Sequence, residues 1–242
     1  MNRRRSVSIA VLACALLLAV GCGGEDEADE PGDAGSSSTT ESTEATASTD
    51  DSASSTVPDE VDTLVVWPPT GSSTTYLDPV DAATAFAVEL VGFIEPVVGE
   101  FAELDEVSGE VGVRSWAEGP ATTVQLRRLA GAETWSVTGS TTAEILPTSP
   151  ASGAEISSPV QLEGTSTAFE GTVQVSVRDA DAQPLGAGFV TGGSMGDMGP
   201  FAESLGFDEP ATSSGSIAFY TLSMEDGGGV IAATVVPVRF AS

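Results

Sequence analysis

Few residues in this chain are equipped for chemistry, and two types that most often carry it are missing. Among 242 residues there is no His and no Lys, and the eight cationic side chains are all Arg, against 36 Asp plus Glu. Without His there is no imidazole base for a serine or cysteine nucleophile and no His-ligated metal. Without Lys there is no Schiff base and no phosphate-loop lysine. Gly192-Gly193-Ser194-Met195-Gly196 matches G-x-S-x-G, but a nucleophile elbow needs a histidine and a strand-to-helix turn, so the segment reads as a flexible loop. Gly186 and Gly188 begin a dinucleotide-type glycine pattern that Thr191 breaks. Asp179, Asp181 and Gln183 have the spacing of a calcium loop, yet Pro184 stands at the turn glycine and Val190 at the closing acid. Paired carboxylates are the acid-base chemistry that remains, which makes a carboxylate hydrolase the least favoured reading. Trp116, before Ala117-Glu118-Gly119-Pro120, either covers one end of a core or stacks on a sugar ring. No cofactor and no metal site is expected.

Cysteine has a different role. Arg3, Arg4 and Arg5 precede an apolar run from Val7 to Val20, and Ala19-Val20-Gly21-Cys22 places small residues before a thiol. A spanning helix wants about 20 apolar residues, and Glu25 to Glu27 end this run too early. The segment resembles the bacterial lipoprotein signal, with Ala19 where Leu is usual; an ordinary secretory signal with Cys22 incidental is the alternative. The resemblance implies removal of residues 1–21, acylation of Cys22, and a place on the extracytoplasmic face of a bacterial cell membrane. Cys14 leaves with the signal, so the exported chain has a single thiol and no internal disulfide. Its charge becomes −31, from five Arg against 36 acids. Such a surface repels nucleic acid and anionic lipid head groups, so the acyl chains alone would hold the protein to the membrane.

The elements that would position any site lie beyond a tether. Residues 23–61 contain 12 acids and 14 Ser plus Thr, with Val57 and Val61 as the larger apolar residues. They cannot bury enough surface to offset ordering entropy, which predicts a disordered spacer over 22–61 with an r.m.s. span on the order of 35 Å.

A small α+β domain is expected over 62–143. Thr63 to Trp67 reads as a short strand. Asp78-Pro79 reads as an N-cap and first helical residue, with Asp81 in the first turn. Val80, Ala83, Phe86, Ala87, Leu90 and Phe93 fall at helical spacing, and Gly92 ends the helix. Glu95 to Glu106 is expected to be a loop. Three alternating runs around Val111 and Val113, Val124 and Leu126, and Trp135 and Val137 then form an antiparallel meander on the helix.

Residues 144–242 read as all-β: Val160 and Leu162, then Val173, Val175 and Val177, alternate with polar residues, and further runs appear at Leu185 to Val190, Phe201 to Phe207, Ser216 to Ser223 and Val230 to Phe240. With turns every 8 to 12 residues or so, this predicts an immunoglobulin-like sandwich of about seven strands. Ser158-Pro159-Val160, Gly164 and Ala168-Phe169-Glu170-Gly171-Thr172-Val173, with the closing run to Phe240, make the segment similar to the immunoglobulin-like domain of bacterial spore germination over about 98 of the 242 residues. The resemblance implies an exported interaction module with no enzymatic activity. Phe169 is expected to anchor the sandwich core and Gly171 to allow a tight turn, while Glu170 is either an exposed turn acid or an acceptor of backbone N–H groups.

Together these readings describe a mixed α+β and all-β protein. It would be a non-enzymatic, lipid-anchored envelope protein with a protein partner, or alternatively a cell-wall glycan binder through Trp116.

Overall fold

The computed structural model describes residues 64–224 and 228–241. Cys22, the signal segment, the tether and part of the Asp226-Gly229 turn lie outside the described residues. What is described is mostly β, sandwich-like, with one short helix.

The helix begins as its local chemistry requires. Asp78 is extended and its carboxylate accepts from the Val80 N–H at 2.7 Å, Pro79 opens α1 (Pro79–Ala85), and Asp81 sits in the first turn. The chain then widens into a π-helical turn, Phe86–Val91, which the sequence pattern did not announce. Gly92, at φ 100°, closes it in the left-handed region, where a side chain would be strained. Ala82, Ala83, Phe86, Ala87, Leu90 and Phe93 are buried.

This helical segment lies on an antiparallel meander of β1 (Val97–Asp105), β2 (Ser108–Arg114), β3 (Thr122–Arg128) and β4 (Trp135–Thr142). The last three alternate as expected, with Val111, Val113, Val124, Leu126, Trp135 and Val137 inward. β1 corrects the expected loop over Glu95 to Glu106. It is an edge strand, mostly exposed, so no alternation marks it. Phe101 holds it down, edge-on to Trp135 with ring centroids 4.9 Å apart. The expected Thr63 to Trp67 strand is reduced, in its described part, to one bridge between Trp67 and Val137.

Nine further strands follow: β5 (Ile145–Ser149), β6 (Glu155–Ile156), β7 (Val160–Ala168), β8 (Thr172–Asp179), β9 (Pro184–Thr191), β10 (Gly193–Ser194), β11 (Gly199–Leu205), β12 (Ser214–Leu222) and β13 (Val230–Phe240). Seven are at least five residues long. β9, β8, β12 and β13 are neighbours in one layer, and β5, β7 and β11 in the other. Their facing side chains, among them Leu162, Val173, Val175, Val177, Phe201, Phe219 and Val238, form one core.

β12 and β13 are buried on both faces, which explains their nearly continuous apolar sequence. Ile217, Phe219, Val236, Val238 and Phe240 enter the sandwich core, while Ala218, Ala233 and Val235 enter the core beneath the helix. β13 also pairs with β4 at Val235 and Ser140. Buried hydroxyls reinforce that junction: Thr122 Oγ1 accepts from Ala233 N–H at 3.0 Å, and Thr234 Oγ1 donates to the Ile145 carbonyl at 2.7 Å. Each satisfies a backbone group that burial would otherwise leave unpaired.

Candidate functional site

Phe169 is not a core anchor. β7 ends at Ala168, so Phe169 falls in the turn before β8 and is 60% exposed. Gly171 makes that turn possible: its φ is 74°, and a Cβ there would lie 3.0 Å from the Gly192 carbonyl oxygen. Glu170 is exposed beside Phe169. Thus the turn holds a large apolar ring and a carboxylate in solvent.

The G-x-S-x-G segment lies against this turn, and it is bonded rather than loose. β10 pairs parallel to the end of β7, Met195 N–H donates to the Ala168 carbonyl at 3.1 Å, and Gly196 N–H donates to Thr167 Oγ1 at 3.1 Å. Met195 is left-handed, at φ 56°, an uncommon conformation for a residue with a side chain. Its side chain is 74% exposed. No strand-to-helix turn is present here, so the motif lacks the geometry of a nucleophile elbow.

Phe169 and Met195 flank a groove of about 610 Å³ at one end of the sandwich. Gln174 of β8, Leu222 at the end of β12 and Ile231 near the start of β13 also line it. Met224, 70% exposed, and Pro120 from the β2–β3 loop add to the apolar part of the lining. The ionisable residues of the lining are Glu144 and Glu170. An apolar concavity with a carboxylate margin is equipped to bind side chains.

The other sequence-derived candidates lie elsewhere. Trp116 is 47% exposed, so it does not seal a core; its ring rests over Gly119, whose carbonyl accepts from Arg114 Nη1 at 2.7 Å. Trp116 does not line the groove, although Pro120 of the same loop does. Asp179 is buried, and its carboxylate accepts from the N–H groups of Asp181 and Gln183 at 3.0 and 2.8 Å, which shapes the β8–β9 turn. Among the described residues no group of three or more His, Cys, Asp or Glu could hold a metal.

The segment that carries most of the groove is also the one that a family model matches. Residues 144–228 match the family model of the immunoglobulin-like domain of bacterial spore germination. The match begins at the turn into β5 and stops just short of β13, whereas the sandwich itself runs through Phe240. Phe169, Glu170, Met195, Leu222 and Met224 fall within the matched germination-type domain; Pro120 and Ile231 fall outside it. No curated protein and no solved structure matches the chain. An immunoglobulin-like domain of this family points to a non-enzymatic protein-interaction module.

Of the groove residues, Glu170 stands out in the sequence as a binding candidate, whereas Met195 is visible only within the G-x-S-x-G segment and Leu222 and Met224 are not marked. The available signal was a pair of methionines in Gly-rich turns, Gly193-Ser194-Met195-Gly196 and Met224 before Gly227-Gly228-Gly229, where polar residues are usual.

Proposed function

We propose that this chain is a lipid-anchored protein of the bacterial envelope, held through Cys22 on the extracytoplasmic face, that presents its immunoglobulin-like domain for contact with another envelope protein. The observation that carries the reading is the matched domain with Phe169, Met195 and Met224 held exposed at one end. The signal-like start and Cys22 supply the anchoring part. Intact mass and detergent partitioning of the native protein test the anchor. A diacylated species beginning at Cys22 in the detergent phase is expected, and a soluble product retaining residues 1–21 would refute it. Cross-linking in cells tests the partner: repeated recovery of the protein alone would count against the interaction role.

The exposure of Trp116 favours one second reading, cell-wall glycan binding. Sedimentation with purified wall material separates the two. Retention abolished by Trp116→Ala supports glycan; retention unchanged by it, or none, leaves the protein partner.

A further inference from the structure

The groove combines features that together define what would fill it. Phe169 and Met195 are fixed to one another by the hydrogen bonds that tie the Met195 turn to the end of β7, so their exposure belongs to ordered backbone. Methionine adapts to differently shaped apolar partners, and the volume of about 610 Å³ suits a few side chains rather than a flat contact.

Charge narrows the occupant further. Glu144 and Glu170 line the groove, no Arg does, and the chain as a whole carries −28. A second copy of this chain would bring the same excess of acid and no Lys to answer it. Four of the five arginines of the folded region are engaged, Arg114 on Gly119, Arg178 on Ala182, Arg239 on Gly153 and Arg128 over the Trp135 ring, and the fifth, the exposed Arg127, acts on Asp105 of the neighbouring hairpin. Anionic lipid head groups are repelled for the same reason.

We infer that the groove between Phe169, Met195 and Met224 receives a short segment of a partner protein whose apolar side chains are flanked by Lys or Arg. The apolar residues fill the groove while the cations meet Glu144 and Glu170 at its margin. This rests on the interaction role proposed above and assigns it to one surface and one partner chemistry.

The test uses the full chain in neutral-lipid nanodiscs, with empty nanodiscs as blank, and three fluorescein-labelled 12-residue peptides read by anisotropy. One has a Leu/Phe centre flanked by Arg, one the same centre flanked by Glu, and one Arg flanks with Ser replacing the apolar centre. The first should bind at least tenfold more tightly than either other. Phe169→Ser and Met224→Ser should each weaken it tenfold or more, Glu170→Arg should shift preference toward the Glu-flanked peptide, and Leu104→Ser on β1 should change nothing. Far-UV circular dichroism confirms folding; if Phe169→Ser unfolds the protein, Glu170→Arg at an exposed position decides. Equal binding of the Arg/Ser peptide, equal binding of the Glu-flanked peptide, indifference to the groove substitutions, or no binding of any peptide would overturn the inference. Detergent partitioning and cellular cross-linking would be untouched by such a failure, so the broader role and this surface can fail separately.

Discussion

Phe219→Ala tests whether the helix-side core and the sandwich core unfold together. Phe219 is fully buried on β12, opposite Val175 and Thr234, with its ring centroid 6.0 Å from that of Phe201. Its neighbours Ala218 and Tyr220 point into the other core. Truncating a buried Phe to Ala costs about 3–5 kcal/mol, a large share of the roughly 5–15 kcal/mol that holds a domain folded. With a urea m-value of about 2 kcal/mol/M, the midpoint should fall by about 1.5–2.5 M. Position makes the assay specific. Trp67, Trp116 and Trp135 all precede residue 144, and the two buried ones belong to the helix-side core. Tryptophan fluorescence therefore reports the core that Phe219 does not enter. If the shared strands β12 and β13 couple the two, fluorescence and far-UV circular dichroism should move together in one transition. Phe86→Ala, on the helix side, should do the same. A fluorescence midpoint unmoved by Phe219→Ala, with a second transition visible by circular dichroism, would refute the coupling and favour independent domains over 62–143 and 144–242.

Three smaller perturbations follow. Gly164→Ala would place a methyl 2.5 Å from the Leu146 carbonyl oxygen and 2.6 Å from the Phe201 ring, which should cost about 1–3 kcal/mol by overpacking and lower Tm by roughly 3–10 °C in a thermal melt. Asp78→Ala removes the acceptor of the Val80 N–H and should cost about 1 kcal/mol, seen as a lower urea midpoint, whereas Asp78→Asn should restore most of it. Hydrogen bonds from the Ser108 side chain and then the Val107 N–H hold the Asp105 carboxyl below its ordinary 3.8. Its stabilisation is thus present above that value and lost as pH falls through the lower folded one, so Asp105→Asn should lower the urea midpoint at pH 7 and converge with the parent in acid. A difference that persists at the lowest pH would show that charge is not the cause.

What the sequence discloses depends on whether the cause is local. The helix ends are legible because Asp78-Pro79 and Gly92 act within one turn of themselves. β2, β3 and β4 are legible because each has one wet face, and β12 and β13 because burial on both faces leaves an apolar run. β1 is not, since an exposed edge strand imposes no pattern and its one packed ring, Phe101, is indistinguishable from a loop residue. The π-helical turn leaves no residue signature. Phe169 misleads for a related reason: its type suggests burial, but β7 ends one residue earlier and the glycine after Glu170 reverses the chain. The groove is the least legible feature, because Phe169, Met195 and Met224 stand in three separate turns that meet only once β10 has paired with β7 and β12 with β8.

That convergence also explains why the charge and the groove belong together. β12 and β13 have both faces covered, so a change of side chain there disturbs two cores at once. At the strand ends the cover stops, and residues of the turns can vary without repacking either core. An ordered apolar groove in such a place invites self-association, because two copies could bury their rings against each other. Repulsion between chains carrying −28 opposes that encounter, and the acids at the groove margin oppose it most where the rings would meet. The same charge attracts a cationic segment. High salt should therefore act twice on this protein: it should weaken capture of the Arg-flanked peptide and at the same time relax the barrier to homotypic contact.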